Sequence, residues 1–146
     1  MNKRISLEET QQSVLKRIFN QVNSEDTFSK RIGMSLVELQ SGFARATLSV
    51  TDAMVNIYKM AHGGVIFSLA DLACEAAGNS LGEPAVALQL NIHFLAPGKS
   101  DDLLEATARV TKRSTRIGLI EFEVKNQEGN LLAKGEQVFY FKKGNK

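Results

Sequence analysis

The residues most able to do chemistry in this sequence stand in one stretch, His62 to Gly78. From Val65 onward its only charged residues are Asp71 and Glu75, four apart and so on one face of a helix. The stretch is otherwise apolar all round and free of proline, the pattern of a helix buried on every side. A carboxylate in such a helix is costly unless it has partners or a task. The stretch opens with His62-Gly63-Gly64. The first amides of a helix lack intrahelical partners, glycine lets a ligand approach the backbone, and a helix entrance attracts anions and developing negative charge.

Other elements must hold this helix. Ser6-Leu7-Glu8-Glu9 fits a capping box, and Val14, Leu15, Ile18, Phe19 and Val22 follow helical spacing. Residues 1–25 therefore read as an amphipathic helix packed on a domain formed by 26–146. Phe28 and Ile32 are expected to tuck a short turn into the core. Met34–Leu39 and Phe43–Val50 read as strands around Ser41-Gly42, with Ala44, Ala46, Leu48 and Val50 on one face. The loop Thr51–Met60 carries Asn56 and delivers the chain to His62. Beyond the helix, Val86, Leu88, Leu90, Ile92 and Phe94 alternate with Ala87, Gln89, Asn91 and His93, and Pro97-Gly98 stops this strand. Leu103–Thr111, Ile117–Lys125 and Leu131–Phe141 are further strands. The facing of the last is open, since Val138 and Tyr140 compete with Ala133, Phe139 and Phe141. The tail Lys142–Lys146 is expected to fray. The fold class is α+β: a curled antiparallel sheet of five or six strands wrapped around a long central apolar helix. One short sheet covers only part of such a helix, and a second copy of the chain is able to complete the cover.

Composition narrows the function classes. At 146 residues, 43% hydrophobic and 23% charged, the chain reads as one globular domain. A net charge of +2 gives no electrostatic footprint for nucleic acid, and the lack of tryptophan argues against base-stacking cages. No apolar run is long enough to span a membrane. The single cysteine, Cys74, excludes an internal disulfide and suits a reducing compartment. Met1 to Ser6 leads into charged sequence and does not read as a secretory signal, so a cytoplasmic location is expected.

Asn56, six residues before His62-Gly63-Gly64, with Asp71 fifteen after the asparagine and Phe67-Ser68-Leu69-Ala70 leading into it, resembles the active-site pattern of the PaaI-type acyl-CoA thioesterases. The order of elements is similar to the hot-dog fold of that family, and the likeness runs over about residues 26–141. The resemblance implies hydrolysis of acyl-CoA or acyl carrier protein thioesters to a free acid and a thiol. It makes Asp71 the catalytic carboxylate and Asn56 the group that places the thioester or the attacking water. His62 shapes the loop, and Gly63 with Gly64 supplies backbone N–H groups to the thioester carbonyl. Where some members carry Ser or Thr on the strand after the helix, this chain has Ala87, and Gln89 is the nearest polar substitute. Gln89, Asn91, Arg113 and Arg116 are the expected substrate contacts, the two arginines toward coenzyme A phosphates. No cofactor or metal is implied, coenzyme A being part of the substrate. The implied partners are the acyl-CoA substrate and a second copy in a homodimer, itself able to pair as a dimer of dimers, with neither nucleic acid nor membrane.

That chemistry suits these residue types. Thioester hydrolysis passes through a tetrahedral oxyanion, and one preset donor at the site of developing charge is commonly worth about 2.7–4 kcal/mol. Burial of Asp71 strengthens it as a base toward water, and direct attack by the carboxylate to give a mixed anhydride is the alternative. A thiolate leaves readily, so no strong general acid is required. Glu75 reads as structural or at the mouth of the site, Cys74 as a core residue, His93 as a polar-face strand residue, and Met34, Met54 and Met60 as fillers. Two other functions compete: a non-catalytic acyl-CoA binding or sensing protein, and a hot-dog hydratase or dehydratase.

Overall fold

The computed structural model describes residues 2–142, and the side chains from residue 10 onward. The first helix, α1 (Asn2–Glu25), begins upstream of the cap expected at Ser6, whose side chain lies outside the described residues, as does most of the tail 142–146. Ile18 is buried, and Phe19 and Val22 pack against the core. Near the end of the helix the Asn23 amide clamps the sheet, donating to the Leu36 carbonyl and accepting the Leu36 N–H, both at 2.9 Å. Asp26 caps the short α2 (Thr27–Ile32) through the Ser29 N–H. Ile32 packs inward, but Phe28 stays 57% exposed, against the expectation that both would be covered.

Six strands follow: β1 (Ser35–Gln40), β2 (Phe43–Ser49), then, after the central helix α3 (Gly63–Asn79), β3 (Ala85–Phe94), β4 (Leu103–Arg113), β5 (Ile117–Lys125) and β6 (Leu131–Phe141). All neighbours are antiparallel, in the spatial order β1-β2-β4-β5-β6-β3. One face of the sheet carries Ala44, Ala46, Leu48, Leu104, Ala106, Ala108, Ile120, Phe122 and Val124, all buried. The helix α3 packs across this face and touches every strand, which is the hot-dog arrangement. Its Ala70, Ala73, Ala76 and Ala77 are wholly buried and allow the close approach. Asn79 ends the helix and ties β3 to it, with its amide bonded to the Ala85 N–H and C=O.

Two local features decide which side chains face α3. In β6, Gln137, Phe139 and Phe141 are buried while Glu136, Val138 and Tyr140 are not, which settles the open facing of that strand. The Phe139 ring fills space left by Gly118, where a Cβ would lie 2.3 Å from it. In β3 the register against β6 shifts between Ala87 and Gln89. Such a bulge changes which face a strand's odd and even residues occupy. Ala85 and Ala87 pair with the inward Phe141 and Phe139, whereas beyond the bulge Leu90 and Ile92 pair with Gln137 and Gly135. The uninterrupted alternation expected from Val86 to Phe94 is therefore broken at Leu88.

Candidate active site

The sheet covers the central helix on one side, and α1 flanks its C-terminal part. Gly64, Phe67, Ser68, Asp71 and Glu75, spaced at three and four residues, form a face left partly or fully open in the single chain. Beside that face lies β3, an outermost strand of the sheet, with Leu88 58% and Phe94 54% exposed, followed by Leu95, also 54% exposed.

His62 caps α3. Its Nδ1 accepts the Gly64 N–H at 2.9 Å, and its own N–H donates to the Met54 carbonyl. Of the two glycine amides expected to serve a carbonyl, Gly64 is therefore already engaged. Among the described residues nothing accepts the Gly63 N–H. A side chain would be tight at both positions: a Cβ on Gly63 would stand 3.1 Å from the Phe94 ring, and one on Gly64 3.1 Å from His62 Nδ1.

Asn56 organises the hairpin that leads into this entrance. Its Oδ1 accepts the N–H groups of Tyr58 at 2.9 Å and Met60 at 3.2 Å, and Val55 bridges Ala61 across the hairpin base. Lys59 takes a left-handed conformation with φ 59° to close the turn. With Oδ1 committed, the free hydrogen-bonding group of Asn56 is its NH2, a donor suited to a carbonyl or oxyanion.

Asp71 sits in the middle of the open face. Gln137, 1% exposed on β6, donates from Nε2 to Asp71 Oδ1 at 2.9 Å. Burial pushes the Asp71 carboxyl above the ordinary range; the Gln137 bond opposes this and the Asp26 charge adds to it. Asp71 and Gln137 line a cavity of about 150 Å³ with Cys74, Glu75, Gly78, Ala85, Val86, Ala87 and Phe139. Ala87 thus faces the carboxylate, and the polar partner comes from another strand.

Gln89 and Asn91 do not reach this cavity. Gln89 pairs with Val138 beyond the bulge, and Asn91 lines a hollow on the outer sheet face with His93, Arg109, Glu121 and Glu136. Arg113 lies over the Phe141 ring at 4.4 Å and pairs with Glu83 at 2.8 Å, while Arg116 donates to the Tyr140 hydroxyl at 3.0 Å. Both are exposed. Gln137 is the residue that sequence reasoning missed. Its signal was a glutamine in the otherwise apolar inward row of that strand, hidden while the facing of the strand was open.

Within one chain the two halves of the site stay apart. Gly63 and Asp71 are eight residues apart on α3, about 12 Å along the axis at 1.5 Å per residue. A carbonyl bound at the entrance must lie within about 3–3.5 Å of its attacker, and the Asp71 side chain, leaning back toward the N-terminus, recovers only part of the separation.

The sequence profile of the Thioesterase superfamily matches residues 58–133. Acyl-coenzyme A thioesterase PaaI of Escherichia coli K12 is 40% identical over 108 residues, covering 74% of this chain and 77% of that one. The solved structure of E. coli PaaI, from the phenylacetic acid degradation operon, superposes with a TM-score of 0.81 at 36% identity, covering 83% of this chain and 88% of the other. A Streptococcus mutans protein solved bound to acetyl CoA gives 0.73 at 30% identity, covering 77% and 91%. No helix among the described residues is long and apolar enough to cross a membrane. By profile, sequence identity and fold, the chain belongs to the thioesterase superfamily, among its PaaI-type members.

Proposed function

We propose that the protein hydrolyses acyl-coenzyme A thioesters to free acid and thiol, at a site assembled from two copies of the chain. The observation that carries this reading is the open α3 face: a buried-side carboxylate held by Gln137, next to an unpaired sheet edge, with the donor groups of the helix entrance about 12 Å away. A second copy laid antiparallel on this face brings its Asp71 to the first copy's Gly63 and Asn56.

In that arrangement the Gly63 N–H and the Asn56 NH2 bind the thioester carbonyl and stabilise the oxyanion. The partner's Asp71, made more basic by burial, takes a proton from water or attacks the carbonyl itself. Gln137 holds Oδ1 and leaves Oδ2 for the reaction. His62 acts through the backbone, by fixing the first turn of α3. Arg113 and Arg116 supply positive charge for coenzyme A phosphates; Gln89 and Asn91, on the outer face, are assigned no contact with the acyl group. The sole cysteine is buried, in keeping with a cytoplasmic setting. The acetyl CoA bound to the S. mutans protein supports a coenzyme A thioester over acyl carrier protein.

The test is thiol release from a panel of acyl-CoAs. Hydrolysis releases thiol; binding without release assigns the protein to sensing, and a change in the acyl chain without release assigns it to hydration chemistry.

A further inference from the structure

A second carboxyl shares the Asp71 cavity. Glu75 stands one turn further along α3, about 6 Å along the axis at 1.5 Å per residue, and lines the same space of about 150 Å³. Apart from Asp71 and Gln137, the remaining walls are apolar. Glu75 also borders a groove of about 460 Å³ between α1 and α3, lined by Arg17, Gln21, Glu25 and Asp26 among others. It therefore divides the cavity of the reacting carboxylate from a polar groove.

We propose that Glu75 is a specificity-determining residue, which admits acyl groups ending in a neutral or hydrogen-bond-donating group and rejects those ending in a carboxylate. The inference rests on the acyl-CoA reading above and deepens it. A carbonyl within reach of Asp71 presents one substituent to this cavity. That substituent is the acyl chain, because coenzyme A with its phosphates is far too large for about 150 Å³ and must run toward solvent. At about 1.2 Å per bond of extended chain, the end of a five-carbon acyl group comes level with Glu75. A hydroxyl there donates to the carboxylate. A second carboxylate is repelled, most strongly once bound substrate or a second copy covers the open face and lowers the effective dielectric.

The repulsion depends on ionisation of Glu75. Although Glu75 is exposed in the single chain, partial desolvation of its carboxyl, then the charges of Asp26 and Asp71, push it up to about 7. The charged groups around it are Asp71 on its own helix, Asp26 at the start of α2, Arg17 and Glu25 on α1, and Glu83 before β3, which Arg113 holds. Rejection of a carboxylate should therefore be stronger at pH 8 than at pH 6.

The experiment compares kcat/KM for valeryl-CoA, 5-hydroxyvaleryl-CoA and glutaryl-CoA, by thiol release, in the wild type and in Glu75→Gln at both pH values. Replacing Glu75 should raise glutaryl-CoA relative to valeryl-CoA by about tenfold or more at pH 8 and by less at pH 6, and should lower the hydroxyvaleryl-to-valeryl ratio. Equal changes on all three substrates in an active enzyme would overturn the role of Glu75 alone. No thiol release by the wild type from any of the three, with release from other members of the acyl-CoA panel, would overturn this inference alone, and no release from the whole panel would overturn the acyl-CoA reading with it.

Discussion

Gln137 Nε2 donates to Asp71 Oδ1 at 2.9 Å, so the carboxylate on the central helix is oriented from β6, next to the outermost strand β3. Burial raises the Asp71 pKa and this bond lowers it. Activity that needs ionised Asp71 is lost as pH falls through its folded-state pKa. Gln137→Leu removes the lowering contact, so the acid limb of kcat/KM should move to higher pH and the rate at pH 7 should fall by about tenfold or more. An acid limb that stays in place would remove Gln137 from the support of the carboxylate.

The Gln137 contact also marks where sequence reading stopped. The strands, the apolar helix, and the places of His62, Gly63 and Asp71 along it were legible because period, glycine placement and charge isolation are local signals, whereas Asn56 stood out only through its resemblance to the family pattern. The bulge at Leu88 was not: it changes the strand's facing, yet leaves an uninterrupted apolar alternation in the sequence. Gln89 therefore looked like the polar neighbour of Asp71, although it points to the outer face. Competing apolar residues on both faces of β6 hid Gln137. The engagement of the Gly64 N–H by His62 is likewise a matter of side-chain geometry that residue spacing does not encode.

His62 accepts the Gly64 N–H and so caps the central helix. His62→Ala should cost about 1 kcal/mol of stability, the usual value of a lost cap, and His62→Asn should recover most of it because Asn caps well. Activity should follow the cap, with His62→Asn well above His62→Ala. Chemical denaturation and kcat together check this. Equal loss of kcat in both variants would instead make the imidazole a participant in proton transfer.

Arg113 and Arg116 are exposed, and Arg113 already has Glu83 as a partner. If they meet coenzyme A phosphates, Arg116→Ala and Arg113→Ala should each raise KM for acyl-CoA severalfold at low salt and leave an acyl-pantetheine nearly unaffected. Steady-state kinetics on the two substrates decides it. Equal effects on both would confine these arginines to holding Tyr140 and Glu83.

The central claim is a site shared between two chains, and complementation tests it most directly. Asn56→Ala and Asp71→Asn should each be nearly inactive alone, since a donor or a base is commonly worth about a hundredfold or more. Co-expressed, the two variants form mixed dimers with one doubly altered site and one intact site, whose Asn56 and Asp71 come from opposite chains. Random pairing makes half the dimers mixed, so thiol release should return to roughly a quarter of the wild-type rate. Mixed dimers shown to be present, with no recovery of activity, would contradict the shared site.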